Sequence, residues 1–262
     1  MKIEEIQKRI EKLGAEAWVM VDYENQHPVL RHWLGSIMLT RKLAVVIAKE
    51  GKPKIIAHDI DYKILPEDIR KEFELFHYDT WRTFLLLQKQ VIGQYGKILM
   101  DISENGLLPR VSLADYGSVE YIKSLGVQVE SSADLQQSFT SVLSPKSLQS
   151  QEKACEKALK IKDEAFLRIA LDIKKNGSSD EFEIQQFICH RFGEEGMVYD
   201  EPPIVAIGQR ASNPHYAPSD IDHSPIHEGD LVLIDMWAKF KEPGSVYADI
   251  TWMGFVGEEV PA

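Results

Sequence analysis

The sequence predicts an α/β fold for its first half and an α+β fold for its second half. Over about residues 1–140, short apolar runs alternate with segments of helical periodicity, as strands alternate with helices in α/β domains. After a Ser- and Pro-bearing connector, two helical segments precede β-rich sequence. With 262 residues, of which 44% are hydrophobic, the chain is long enough to bury a sizeable core.

An amphipathic helix opens the first half. Ile3, Ile6, Ile10 and Leu13 recur at helical spacing, and Gly14 lies where a C-terminal cap belongs. The next predicted elements, in order, are a strand at 17–22, two strands within 42–58 joined by a turn at 50–52, a strand at 96–101, a helix at 112–126 and a strand at 127–130. This alternation is what predicts the α/β domain.

A change of composition predicts a domain boundary. The connector 139–153 bears Ser and Pro, and Pro145 disfavours a helical conformation in the residue before it. We therefore expect a first domain at residues 1–142 and a second at residues 143–262.

The second domain begins with two predicted helices. An apolar stripe indicates a helix over about 147–175, which ends at Asn176 and Gly177. Ser178 and Glu181 have the spacing of a capping box at the start of the next helix. The β-rich sequence PIVAIG follows.

The composition excludes several classes of partner. A formal net charge of −11 argues against a nucleic-acid groove or an anionic membrane surface, because both require clustered Lys and Arg. No run approaches the roughly 18 apolar residues of a membrane span, and the N-terminus lacks the features of a signal peptide. Cys155 and Cys189 are too few for a disulfide framework. We expect a cytoplasmic protein that acts on a small molecule or a peptide.

Two aspartates lie inside an apolar segment, residues 231–255, that has the character of buried strands. The KEPGS sequence between them predicts a turn, and a hairpin centred at residue 242 would place Asp235 directly opposite Asp249. Two facing carboxylates require a shared proton, a basic partner or a cation, and divalent metal ions bind such oxygens. A register slip of one residue would instead place them on opposite faces.

The segments SNPHYAP, GDLVLIDMWAK and VYADITWMGFVG resemble the pita-bread-fold metallopeptidase family. This family includes Xaa-Pro dipeptidases, Xaa-Pro aminopeptidases, methionine aminopeptidases and creatinase. In the first half, HWLGS, MDISENG and SLGVQVESSADL resemble the creatinase-like N-terminal domain of the Xaa-Pro branch. The resemblance implies a creatinase-like α/β domain followed by an α+β pita-bread domain.

The resemblance also implies roles for three residues, and position adds two candidates. Asp235 would bind one metal ion, Asp249 would bridge two, and His215 would contact the scissile peptide bond or the tetrahedral intermediate. Trp237 lies beside the aspartates, where it would either pack in the core or wall the substrate pocket. Tyr247 has the same strand parity as Asp249 and is a candidate for contact with a ligand or the substrate.

The activity implied by the resemblance is metal-dependent hydrolysis of peptide bonds adjacent to proline. Two divalent ions would convert a bridging water to hydroxide and polarise the substrate carbonyl. Mn²⁺ is the first choice, and Co²⁺, Zn²⁺ and Fe²⁺ are alternatives. The partner would be a small peptide, with neither nucleic acid nor membrane involved, and the full-length protein would form a homodimer.

The sequence departs from the family in one respect. The remaining family ligands, a His and two Glu, lie C-terminal to the hairpin, whereas this sequence ends 13 residues after Asp249. We therefore expect a fragment of a longer peptidase that is inactive by itself. Two alternatives stay open: a non-catalytic family member that acts as a binding module, and a creatinase-like C–N hydrolase.

Overall fold

The computed structural model describes residues 2–260, apart from the side chain of His32. The chain divides into two compact units, with the division between Val142 and Leu143. Unit 1 has helices on both faces of a sheet, and unit 2 packs two helices against a smaller set of strands. Within the described residues, no helix has both the length and the apolar character needed to cross a membrane.

A six-stranded sheet forms the centre of unit 1. Its strands are β1 (Ala17–Tyr23), β2 (Lys42–Ala48), β3 (Lys54–His58), β4 (Glu74–Tyr78), β5 (Lys97–Met100) and β6 (Gln128–Ser131). Across the sheet their order is β4-β3-β2-β1-β5-β6. β1 pairs antiparallel with β2 and parallel with β5. The chain first places β2, β3 and β4 on one side of β1 and then returns to place β5 and β6 on its other side.

Helices cover both faces of this sheet. They are α1 (Ile3–Lys12), α2 (Pro28–Leu34), α3 (Asp59–Tyr62), α4 (Glu67–Glu72), α5 (Trp81–Ile92), α6 (Tyr116–Ser124) and α7 (Ala133–Thr140). Alternate side chains of a strand point to opposite faces. Trp18 and Met20 therefore join a core cluster with α1, whereas Val19 and Val21 join one with α5 and α6. The predicted α/β class of the first half is confirmed.

Unit 2 combines two helices with short and long strands. The helices are α8 (Pro145–Asn176) and α9 (Glu181–Glu194), and the strands are β7 (Ser179–Asp180), β8 (Met197–Val198), β9 (Ile204–Ile207), β10 (Pro225–Ile226), β11 (Leu231–Phe240) and β12 (Ala248–Phe255). β11 pairs antiparallel with β12, β9 and β8, and β7 pairs with β10. One face of β11 packs with α8 and α9 in the core of this unit, so its other face is left for the site.

Candidate functional site

The hairpin formed by β11 and β12 closes through the predicted turn. The Ser245 N–H donates to the Glu242 carbonyl at 3.1 Å. Gly244 has a φ of 82°, a backbone conformation that residues other than glycine rarely adopt. Pro at the second position and Gly at the third are typical of a type II turn. The KEPGS segment therefore turns the chain, as its sequence predicts.

The register of this hairpin differs from the prediction by two residues. Asp235 pairs with Thr251, and Asp249 pairs with Trp237, so the aspartates are not direct partners. The prediction was wrong because it centred the hairpin at residue 242, whereas the observed pairs are symmetric about Pro243. A shift of two residues preserves side-chain parity, so the aspartates still share a face. They are diagonal neighbours, with a Cα spacing of roughly 7–8 Å.

The aspartates lie on the open face of the hairpin. Asp249 and Thr251 are exposed, and Asp235 is half-buried. The side chains of β11 that point to the other face are fully buried in the core of unit 2: Val232, Ile234, Met236 and Ala238. One face of β11 is thus wholly apolar, whereas the face that carries Asp235 also holds the apolar side chains of Leu233 and Trp237.

Few protein groups contact the two carboxylates. Asp235 accepts a hydrogen bond from the Thr251 hydroxyl at 2.6 Å. Among the described residues, neither Asp235 nor Asp249 forms an ion pair with a basic side chain. With no basic partner among the described residues, a shared proton and a cation are the predicted partners that remain, and carboxylate oxygens suit a hard divalent cation.

Trp237 and Tyr247 have different surroundings. Trp237 is half-buried on the aspartate face and packs against a small cluster that includes Tyr216. Tyr247 lies between the turn and β12, with Lys239 Nζ 4.5 Å from the centroid of its ring. The nearby Asp200 carboxylate raises the pKa of Tyr247, although the Tyr247 hydroxyl and this carboxylate do not meet the geometry of a hydrogen bond. Both side chains thus already have protein contacts beside the aspartates.

His215 is presented by a loop that follows a short 3₁₀ segment, Gly208–Ser212. The His215 N–H donates to Asn213 Oδ1 at 3.0 Å, which shapes a local turn, and the His215 side chain is exposed. An exposed imidazole is available to a ligand, but its own turn does not explain what holds the loop.

A buried carboxylate, unrecognised as a functional residue in the sequence, holds this loop at three points. Glu181 is 0% exposed. Its Oε1 accepts from the Ile207 N–H at 2.9 Å, and its Oε2 accepts from the Tyr216 hydroxyl at 2.6 Å and from the Ser224 N–H at 2.8 Å. These donors lie before, beside and after His215, so a single side chain secures the whole loop.

Arg210 extends this network to the surface. Its guanidinium donates to the Tyr216 hydroxyl oxygen and, at 2.7 Å, to Asp222 Oδ1, while Nη1 lies 3.6 Å from Glu181 Oε2. Burial, together with the hydrogen bond to Glu181, raises the pKa of Tyr216 to about 12. Tyr216 therefore stays protonated and can donate to Glu181 at any ordinary pH.

The capping box predicted from Ser178 and Glu181 does not form. Asp180 is the N-cap of α9, and its Oδ1 accepts from the N–H groups of Phe182 and Glu183 at 2.9 and 3.2 Å. Glu181 is turned inward instead. Its three donors lie 26, 35 and 43 residues away in sequence, so no local pattern indicates this role.

The described residues supply only part of a metal centre. Within residues 2–260, no group of three or more His, Cys, Asp or Glu side chains is placed to hold a metal ion. Asp235 and Asp249 offer carboxylate oxygens, which suit hard divalent cations. Each ion takes roughly four to eight donors, so these residues alone do not fit a complete two-metal centre.

Residues 153–262, which include the hairpin and the loop of His215, match metallopeptidase family M24. No curated protein matches the sequence closely enough to count as a relative.

Solved structures with similar folds cover almost all of this chain. The prolidase from Pyrococcus horikoshii OT3 shares 20% identity at a TM-score of 0.52, covering 98% of this chain and 65% of the prolidase. The X-prolyl aminopeptidase from Caenorhabditis elegans shares 16% identity at a TM-score of 0.59, covering 99% of this chain and 41% of the aminopeptidase. It is described as a cytosolic enzyme with a di-nuclear active site. The N-terminal domain of the FACT complex subunit SPT16 from chickpea, Cicer arietinum, shares 12% identity at a TM-score of 0.59, covering 96% of this chain and 64% of the SPT16 chain.

These similarities confirm the predicted family resemblance and fold class. At such low identities they show a shared fold, in which an α/β unit precedes a pita-bread unit. The chain spans about 65% of the length of the prolidase that it matches.

Proposed function

Because residues 153–262 match metallopeptidase family M24 and the chain has the pita-bread fold, we propose that the protein serves metal-dependent hydrolysis of peptide bonds adjacent to proline. The observation that carries this proposal is the pair of aspartates on the open face of the hairpin, inside the matched region. Dipeptidase and aminopeptidase activity are both within the proposal, since the similar structures include enzymes of both names.

Five residues form the proposed site. Asp235 and Asp249 are metal ligands for a centre of two divalent ions, with Mn²⁺ as the first choice. His215 contacts the substrate from its loop, and Trp237 and Tyr247 flank the place where the substrate lies. The support for these roles is that both carboxylates lack basic partners among residues 2–260 and that His215 is exposed.

The proposal requires ligands from outside the described residues, because two carboxylates cannot complete the centre. The 262-residue chain by itself is therefore proposed to be inactive. We further propose a small peptide as the substrate, a homodimer as the complete assembly, and the cytoplasm as its location. The C. elegans enzyme of similar fold, described as cytosolic, supports the last point.

The test compares the complete gene product with the 262-residue chain. Both are purified free of metal, supplied with Mn²⁺ and assayed for release of proline from Ala-Pro. We expect hydrolysis by the complete product alone. Asp235→Asn and Asp249→Asn should each lower kcat/KM by more than about a hundredfold, because even indirect partners of a metal can cost that much.

Asp163→Asn is the matched control, since the Asp163 side chain is 74% exposed on α8. It should leave hydrolysis unchanged. Comparison of Ala-Pro with Ala-Pro-Ala then separates dipeptidase from aminopeptidase activity. The proposal fails if the complete product cleaves neither peptide with Mn²⁺, Co²⁺, Zn²⁺ or Fe²⁺.

A non-catalytic binding role is the second candidate. The observation that favours it is the similarity in fold to the N-terminal domain of the FACT complex subunit SPT16, which is named as a complex subunit and not as a peptidase. Binding of Ala-Pro without hydrolysis, unaffected by Asp249→Asn, would support this role over catalysis.

A further inference from the structure

A cavity of 480 Å³ opens at one end of the central strand β1 of unit 1, outside the residues matched by the peptidase family. It lies where β1 ends, and its lining includes Asp22, Tyr23, His27, Lys42, Trp81 and Asp115. None of these residues has a part in the proposed peptidase site, so the cavity requires its own explanation.

The topology of the sheet favours a ligand at this end of β1. The chain leaves β1 toward β2, β3 and β4, and then returns to place β5 and β6 on the other side of β1. In open α/β sheets, ligands bind outside the carboxyl ends of the strands where the order reverses in this way. The cavity lies at that reversal.

Among the described residues of unit 1, Asp22 is the one buried aspartate that has an oxygen without a hydrogen-bond partner. Asp22, Asp61 and Asp101 are 5%, 2% and 1% exposed. Asp61 accepts from the N–H and hydroxyl of Thr40 and from the Arg41 N–H, using both oxygens.

Asp101 likewise uses both oxygens. Its Oδ1 accepts from Trp18 Nε1 at 2.9 Å and from Gln136 Nε2 at 2.6 Å, as well as from the Ser132 hydroxyl, and its Oδ2 accepts from His27 Nε2. Each carboxylate oxygen of Asp101 is thus paired.

In Asp22, Oδ1 accepts from the backbone N–H groups of Tyr23, Gln26 and His27 at 2.8, 3.0 and 3.1 Å. Oδ2 accepts no hydrogen bond from any group that the structure describes. A buried acceptor without a donor is unfavourable. Because this oxygen exposes almost no surface, the Asp22 side chain must turn slightly into the cavity that it lines to accept from the donor of a ligand.

The charges of the lining favour a cation over an anion. The Lys42 ammonium is paired with Asp115 at 2.8 Å, so it does not stand free to hold an anion. His27 adds no free group, because Nε2 donates to Asp101 and Nδ1 accepts from the Leu30 N–H. With Lys42 compensated, the charge of Asp22 remains.

Two aromatic rings give the cavity an apolar wall. Trp81 is 58% exposed and Tyr23 is 51% exposed, which is unusual for such large apolar side chains. Aromatic faces attract cations and pack against flat apolar groups.

We propose that this cavity binds a small organic molecule with a primary ammonium group next to an aromatic body. The ammonium donates to Asp22, and the body packs against Trp81 and Tyr23. An ammonium fits this cavity better than a metal ion, because no group of three or more metal-binding side chains occurs among the described residues.

The test measures binding of three matched probes to the 262-residue chain by NMR titration: 2-phenylethylamine, the neutral 2-phenylethanol and the anionic 3-phenylpropanoate. The amine should bind about tenfold or more tightly than the other two, which is the range for a hydrogen bond to a charged group. Its binding should shift the backbone amides of Tyr23, Gln26 and His27, which donate to Asp22.

Variants locate the interaction. Asp22→Asn keeps an acceptor for the backbone turn but removes the charge, and it should weaken amine binding by about tenfold or more. Trp81→Ala should weaken it as well, and it changes an exposed ring at the start of α5. Asp68→Asn is the matched control, because Asp68 lines a different cavity of the same unit.

Three results would overturn the proposal: no binding of the amine, equal binding of the neutral or anionic probe, or equal binding by Asp22→Asn and wild type. If Asp22→Asn does not fold, the amide shifts of the wild-type chain and the effect of Trp81→Ala decide the question.

Discussion

Replacement of Glu181 by Gln tests whether one buried carboxylate holds the loop of His215. The substitution keeps the size of the side chain and removes its charge. The amide has one oxygen, so it cannot accept from all three donors in their present positions. If the oxygen stays with Tyr216 and Ser224, the amide nitrogen occupies the place of Oε1 and points a donor at the Ile207 N–H.

The magnitude follows from these contacts. Loss of a hydrogen bond to a charged group costs about 1.5–3 kcal/mol, and a buried N–H without an acceptor costs about 1–3 kcal/mol. Arg210 also loses the charge that lies 3.6 Å from Nη1. We expect the free energy of opening at this loop to fall by about 3–5 kcal/mol, the range seen when a buried charge pair is broken.

Native-state hydrogen exchange measured by NMR reads this free energy directly at the Ile207 and Ser224 amides. A fall of about 3–5 kcal/mol corresponds to protection lower by about two to four orders of magnitude. Glu183→Gln is the matched control, since Glu183 is an exposed residue of the same helix, two positions away. It should leave both amides as protected as in wild type.

The reasoning is refuted if Glu181→Gln leaves the protection of both amides within about threefold of Glu183→Gln, a difference of less than about 1 kcal/mol. In that event the loop would be held by its own turns, and the network around Glu181 would be incidental to the position of His215.

Three further predictions concern unit 2. Gly254→Ala should lower the free energy of unfolding by about 1–3 kcal/mol in a denaturant titration, because a Cβ there would lie 2.5 Å from the Phe166 ring. Gly193→Ala is the control in the same titration. It has open space in α9 and should raise the free energy of unfolding by about 0.5–1 kcal/mol. The pair Asp235→Cys and Thr251→Cys should form a disulfide under mild oxidation more readily than Asp235→Cys with Asp249→Cys, and the opposite order on a gel would contradict the observed register. The folded state raises the pKa of Tyr216 to about 12, whereas an unfolded tyrosine titrates near pH 10, so the free energy of unfolding should fall as pH rises from about 10 to about 12. Tyr216→Phe should reduce that fall. An equal fall in the variant would exclude Tyr216 as its cause.

Local patterns in the sequence predicted much of the fold. The apolar spacing of Ile6 and Ile10 marks a helix, and Pro243 with Gly244 marks a turn, because backbone preference and side-chain periodicity are properties of neighbouring residues. The common face of Asp235 and Asp249 also follows from parity along a hairpin. In contrast, the sequence assigned no element between residues 59 and 95, where α3 to α5 and β4 form.

The tertiary structure decided what depends on distant partners. The register of the hairpin was one such feature, since pairing of β11 with β9 and β8 as well as β12 helps determine where the strands align. Glu181 and Asp22 are others: one carboxylate is satisfied by groups 26 to 43 residues away, and the other has an oxygen without a donor among the described residues. A sequence specifies which residues are apolar, polar or turn-forming by local chemistry, but hydrogen-bond partners are chosen by proximity in space, which exists only after the chain has packed.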